Sequence, residues 1–171
     1  MTARKQRRVK AIADDVIKYG ADVIDSEGHK SCAKYIQHGD TSVQDHTISV
    51  ACVCLKITKI LHLKKFDRYD LVRGALLHDY FLYDWHVYDP ERGHGHGFKH
   101  ASIAAKNAAE DFSVTPLMAE MIKKHMWPLN LALPLHREAY ILVLADKVCS
   151  LRETFGKPYY YMVLDEIKGK A

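Results

Sequence analysis

The chain has 171 residues, a formal net charge of +4 and an apolar content of 48%, which excludes a disordered chain and allows one domain with a sizeable core. No apolar run approaches the ~20 residues that cross a bilayer, so no membrane partner is expected. Met1 to Lys10 is basic but leads into no signal-like apolar region. Cys32, Cys52, Cys54 and Cys149 have no CxxC spacing, so a cytoplasmic protein with reduced thiols is expected.

In chain order, Val9, Ile12, Ala13, Val16 and Ile17 recur at helical spacing, with Arg4, Lys5, Arg7, Arg8 and Lys10 on the outer side. This predicts an amphipathic first helix ending at Gly20. The basic cluster lacks interleaved aromatics, so nucleic acid is not the expected partner. A short helical piece is expected over His29 to Gln37, closed by Gly39-Asp40, with His29 and His38 at the surface. Thr41 with Gln44 fits a capping box for the next helix. Val43, His46, Val50, Val53, Ile57 and Ile60 form its inner stripe, which places His46 on a buried face.

Asp67 and Asp70 mark a further start, as N-cap and N3 acid. The apolar helix that follows ends in Ala75-Leu76-Leu77-His78-Asp79, with Gly74 positioned to let another helix approach closely. Two adjacent ionisable groups on a buried helix require partners, and a metal supplies them. From Tyr83 to Phe98 the helical pattern breaks, and a loop with a short hairpin around Asp84 to Asp89 is expected. It leaves directly from the His-Asp pair, which suits a lid or substrate loop. His94 and His96 lie between glycines, a poor rigid platform for ligands.

A helix opening at Phe98-Lys99-His100 carries Ile103, Ala104, Asn107, Ala108 and Phe112 inward. Thr115-Pro116 is an N-cap followed by an N1 proline. Met118, Met121, Ile122 and His125 follow on one face. The next helix runs from about His136 to Phe155, with Asp146 on its apolar stripe and Gly156 as its break. A short helix from Tyr159 to Ile167 is expected on the surface. Nearly every periodic segment has the 3.6-residue period, so the fold class is all-α, with about seven helices.

Histidine is the compositional outlier, with eleven in the chain. The polar residues on buried faces are His46, His78, Asp79, His100, His125 and Asp146, and leaving them unpaired would be an expensive core. Their order, His…His-Asp…His…His…Asp, resembles the HD-domain superfamily of metal-dependent phosphohydrolases in its six-ligand, two-metal form. The resemblance covers roughly residues 41–153 of a single 1–171 domain, with 83–98 as an insertion. It implies that His46, His78, Asp79 and Asp146 hold one metal, and that Asp79 bridges to a second held by His100 and His125. Asp79 and His78 would then be the catalytic core. A bridging carboxylate sets two ions about 3.5–4 Å apart, and a hydroxide between them is a nucleophile at neutral pH. The nitrogen and oxygen donors suit two divalent transition metal ions. Iron or manganese come first, then cobalt, nickel or zinc.

The resemblance implies hydrolysis of a phosphate ester or anhydride, with a nucleotide or another small phosphorylated metabolite as substrate. Lys99, Lys147, Arg73 and Trp85 are the candidate substrate contacts. Many family members follow His-Asp with Ile-Gly and a lysine. Here Tyr80-Phe81-Leu82-Tyr83 stands in that place, so that lysine's phosphate role does not carry over. Diiron oxygenases of the same superfamily use a similar ligand order, and a non-catalytic metal-binding regulatory module is a third reading.

Overall fold

A computed structural model of the chain describes residues 2–90, 93, 95–158 and 160–169. Among them are eight α-helices: α1 (Ala3–Ile24), α2 (Glu27–Ser31), α3 (Val43–Ile60), α4 (Arg68–Leu77), α5 (His96–Asp111), α6 (Pro116–Lys124), α7 (Arg137–Phe155) and α8 (Tyr161–Lys168). The fold is all-α, with one small addition. β1 (Ile36–His38) and β2 (Thr41–Ser42) pair antiparallel around Gly39, which has a positive φ of 54°.

α3 is the central element. It packs against α4 and α7, with α1 and α8 also against it. Its sequence explains the position, since Ile48, Val50, Ala51, Cys52, Cys54 and Leu55 are all buried and cover most of its circumference. A helix apolar on nearly every side has to be surrounded. All four cysteines are buried free thiols, as in a reduced protein.

Helix starts follow local chemistry. The Asp67 side chain accepts from the Asp70 backbone N–H at 2.9 Å, and Thr115 Oγ1 accepts from the Met118 N–H at 3.1 Å with Pro116 at N1. Thr115 Oγ1 also donates to Asp70 Oδ2 at 2.7 Å, tying the start of α6 to that of α4. Gly74 does admit a close neighbour: a β-carbon there would lie 2.8 Å from Met121 Cε on α6.

Several boundaries differ from the sequence reading. α1 continues past Gly20 to Ile24, and Gly20 marks close packing rather than a stop, because its β-carbon would lie 2.2 Å from Leu76 Cδ1. The cap of α3 is Ser42, which accepts from the Asp45 N–H at 3.1 Å. Thr41 instead enters the β2 pairing. The stretch expected as one helix from His29 divides into the end of α2, a 3-10 turn at Cys32–Lys34 and β1. No strand forms between Asp84 and Asp89, where Asp84 Oδ1 accepts from the His86 backbone and ring. α8 is more than a surface addition: Val163, Leu164 and Ile167 are buried, and Lys168 Nζ donates to Asp45 Oδ1 at 2.9 Å.

His29 is not at the surface. Ser26 caps the short α2 and turns His29 inward, where its Nε2 lies 3.1 Å from Thr47 Oγ1 and the residue is 1% exposed. Burial lowers its pKa from 6.5 to about 4. Between those two values the unfolded chain takes up a proton that the folded chain refuses, so stability falls as pH drops from 6.5 towards 4. The His29 share of that loss is at most roughly 3 kcal/mol. His29→Gln is expected to reduce the loss of urea stability between neutral pH and pH 4, as measured by denaturation midpoints across that range.

Candidate metal centre

His78 and Asp79 follow the last residue of α4, so the helix end presents both into protein. His78 is 0% and Asp79 2% exposed. A buried carboxylate at a helix C-terminus gains nothing from the helix dipole and needs positive charge close by. The other side chains around it come from four helices. His46 enters from the second turn of α3, His100 from the first turns of α5, and His125 from the end of α6. Asp146 comes from the middle of α7.

The six side chains form two groups on opposite sides of the Asp79 carboxylate. His46 Nε2 lies 3.6 Å from Asp79 Oδ2 and 3.2 Å from Asp146 Oδ1. His78 Nε2 lies 3.4 and 3.8 Å from the same two oxygens. On the other side, the Nε2 atoms of His100 and His125 lie 3.3 and 3.5 Å from Asp79 Oδ1 and 2.9 Å from each other. Each Asp79 oxygen therefore serves a different group.

The other ring nitrogens are committed elsewhere. His78 Nδ1 donates to the Ala75 carbonyl at 2.7 Å, and His125 Nδ1 to the Ile122 carbonyl at 2.7 Å. His100 Nδ1 donates to the His96 carbonyl at 2.9 Å. His46 Nδ1 meets the buried Glu153 Oε2 at 2.6 Å. A carbonyl only accepts, so those Nδ1 atoms carry the protons and each neutral ring turns a bare Nε2 inward. The Nε2 atoms of His46 and His78, and Asp79 Oδ1, are buried with no hydrogen-bond partner among the described residues. Two bare imidazole nitrogens 2.9 Å apart, as in His100 and His125, repel unless a cation lies against them.

The electrostatics have the same sense. Burial opposes the charge on Asp79 and Asp146, yet the surrounding imidazoles hold both carboxyls below the usual carboxylate range. Burial likewise disfavours charge on His46, but Asp146 and Glu153 raise its pKa well above the ordinary value. Burial takes His125 down to about 4, and Asp79 raises His100 against the same penalty. These donors fit divalent transition metals: imidazole nitrogen and carboxylate oxygen, with no thiolate. His46, His78 and Asp79 form one candidate ligand set, and Asp79, His100 and His125 another.

Residues 43–151 match the family model described as HD domain. The chain belongs to the HD domain family. That family is in general one of metal-dependent hydrolases. No curated protein and no solved structure matches the chain. The HD span contains all six inward-facing residues, while two of their supports, Gln37 and Glu153, lie outside it.

Neither support was anticipated from the sequence. Gln37 Nε2 donates to Asp79 Oδ2 at 2.5 Å from β1, and nothing in the local pattern signals this. Glu153 did carry a signal: it follows Asp146 by seven residues on α7 and so shares its face. His38, also expected at the surface, is half-buried with its ring edge against His46 at 5.4 Å.

Of the candidate substrate contacts, Trp85 and Lys99 line a cavity of about 550 Å3 with His96 and Tyr83. The His96 ring stacks on His100 at 4.6 Å, and Trp85 stacks on His96 at 5.1 Å. His94 lies outside the described residues. Lys147 is exposed beside the buried Asp146. Arg73 is directed away from the ligands: it is buried and donates to Asp22 and to the Tyr19 carbonyl on α1. Arg73 thus joins two helices, and the substrate role expected for it is corrected.

Carboxylates that orient a ligating imidazole are worth about 10–100-fold in metal affinity. Glu153→Ala is expected to weaken metal binding by about that factor while the helical circular dichroism is retained, as checked by competition against a chromophoric chelator.

Proposed function

We propose that this HD protein hydrolyses a phosphate ester or anhydride in a nucleotide or another small phosphorylated metabolite, using two divalent transition metal ions. The observation that carries the reading is the orientation of the imidazoles. Backbone carbonyls commit the Nδ1 atoms of His78, His100 and His125, so bare Nε2 atoms face both oxygens of one buried carboxylate. His46, His78, Asp79 and Asp146 hold the first ion, and Asp79, His100 and His125 the second. When bound, such a pair supplies Lewis acidity to phosphoryl oxygens and makes water nucleophilic near neutral pH.

The chain's own residues do the rest. Asp79 keeps the two ligand groups in register, because a single carboxylate cannot shift towards one without leaving the other. Glu153 fixes His46, and the His96 carbonyl fixes His100. The cavity beside His100 supplies recognition, with Lys99 for phosphate and Trp85 for a planar base. The Lys99 amine and the aromatic rings in the lining of this cavity, beside one carboxylate at Asp89, favour hydrolysis of a phosphorylated compound over the oxygenase reading.

The first test is elemental analysis of protein purified without oxygen or chelator, beside Asp79→Ala. About two transition-metal atoms per chain, lost in the variant, are expected. One ion or none in the wild type would remove the two-metal mechanism. The metal-loaded protein is then expected to release phosphate from members of a nucleotide and phosphoester panel, with a loss of ~100-fold or more in Asp79→Ala. Substrate-dependent oxygen uptake by iron-loaded protein, without phosphate release, would decide for the oxygenase.

A further inference from the structure

The basic run at the start of α1 takes no part in the metal centre, and the structure divides it. Lys10 turns to Asp14 at 2.7 Å. Lys5 and Arg8, three residues apart on one face, make no ion pair among the described residues and line a second recess of about 820 Å3. Other segments add cations to the same recess. Lys56 and Lys59 come from the end of α3, His62 from the turn beyond it, and Arg152 from α7. Lys59 lies 3.9 Å from Asp15, which is outside the recess, and no aspartate or glutamate among the described residues lines it.

The rest of the lining is apolar or aromatic. Val9, Ile12 and Val163 contribute from α1 and α8, with the rings of Tyr160 and Tyr161. Ile60 and Met162 are 61% and 64% exposed, so apolar surface there is left for an occupant to cover. The recess shares no residue with the cavity beside His100. Lys56 and Lys59 follow His46 by ten and thirteen residues on α3, about 15–20 Å along the axis.

Basic groups converging from three helices and a turn onto an apolar recess match a compact polyanion carried on an apolar body. Its volume is that of pockets that enclose small molecules. A nucleic-acid surface would instead spread its cations along a groove or stripe. We propose that this recess binds a small phosphorylated molecule with an aromatic body, of the nucleoside polyphosphate class, at a site separate from the metal centre.

The test is calorimetric titration of the full chain, freed of metal by chelator, with ATP as the probe. Tripolyphosphate, adenosine, phosphatidic acid vesicles and a single-stranded oligothymidylate are titrated alongside. ATP is expected to bind more tightly than tripolyphosphate, and adenosine not at all. Lys5→Glu/Arg8→Glu and, separately, Lys59→Glu are expected to weaken ATP by roughly tenfold or more. Lys18→Glu/Lys106→Glu, the same charge change elsewhere, is expected to leave it as in the wild type. Lys5 and Arg8 are exposed near the end of a helix, so their replacement leaves the fold intact, and circular dichroism verifies this. Wild-type ATP affinity in both recess variants would overturn the proposal, as would no heat at millimolar ATP. Tighter binding to the vesicles would reassign the recess to a membrane surface, and tighter binding to the oligothymidylate to nucleic acid. Either result would overturn the small-molecule assignment.

Discussion

The structure depends on one buried carboxylate. Asp79 sits at the C-terminal end of α4, where the helix dipole is unfavourable to it and water is excluded. Its charge is tolerable only if positive or donating groups surround it. The Gln37 amide on β1 donates to it, and the imidazoles from α3, α4, α5 and α6 place Nε2 atoms 3.3–3.6 Å from its oxygens, where a cation would lie against it. The helices therefore cannot pack in another register without stranding that charge, so the candidate metal centre also fixes the bundle.

Helix ends do much of this work. The last carbonyls of a helix have no intrahelical partner. Here the Ala75 and Ile122 carbonyls, near the ends of α4 and α6, take the Nδ1 protons of His78 and His125. The device satisfies an orphan acceptor and selects the tautomer that faces Asp79. At the start of α5 the His96 carbonyl selects the same tautomer in His100, while the His96 ring stacks on it. His96 thus joins the centre to the aromatic cavity without occupying a ligand position in either trio.

α3 has two chemically different ends. Near its N-terminus His46 faces two carboxylates, Asp146 in front and Glu153 behind. Near its C-terminus Lys56 and Lys59 face a recess that no carboxylate among the described residues lines. The buried middle of the helix, with Cys52 and Cys54 inside it, separates the acidic environment from the basic one. Attraction between charges of opposite sign falls with distance, and α3 sets its two ends about 15–20 Å apart.

Much of this was legible from residue order. The 3.6-residue period places helices wherever apolar residues recur, and local rules placed the caps at Asp67 and Thr115 correctly. Periodicity marked His46, His78, Asp79, His100, His125 and Asp146 as polar residues on buried helix faces, and their order, which resembles the HD superfamily, is what joined them into one set. What periodicity could not supply was contact between elements distant in sequence. Gln37 lies in a short strand with no hydrophobic pattern and reaches Asp79 across 42 positions. His29 looks like a surface residue until the α2 turn brings it against Thr47. Arg73 looks like a phosphate ligand until α1 brings Asp22 to it. Gly20 reads as a helix stop, and only the approach of Leu76 shows why the helix continues through it. The sequence by itself thus determined the long helices and most of their buried faces, because periodicity and capping act over a few residues. Tertiary structure decided which nitrogen of each imidazole faces inward, which carboxylates support it and where the basic residues of α1 converge, because those choices depend on groups brought together only when the helices pack.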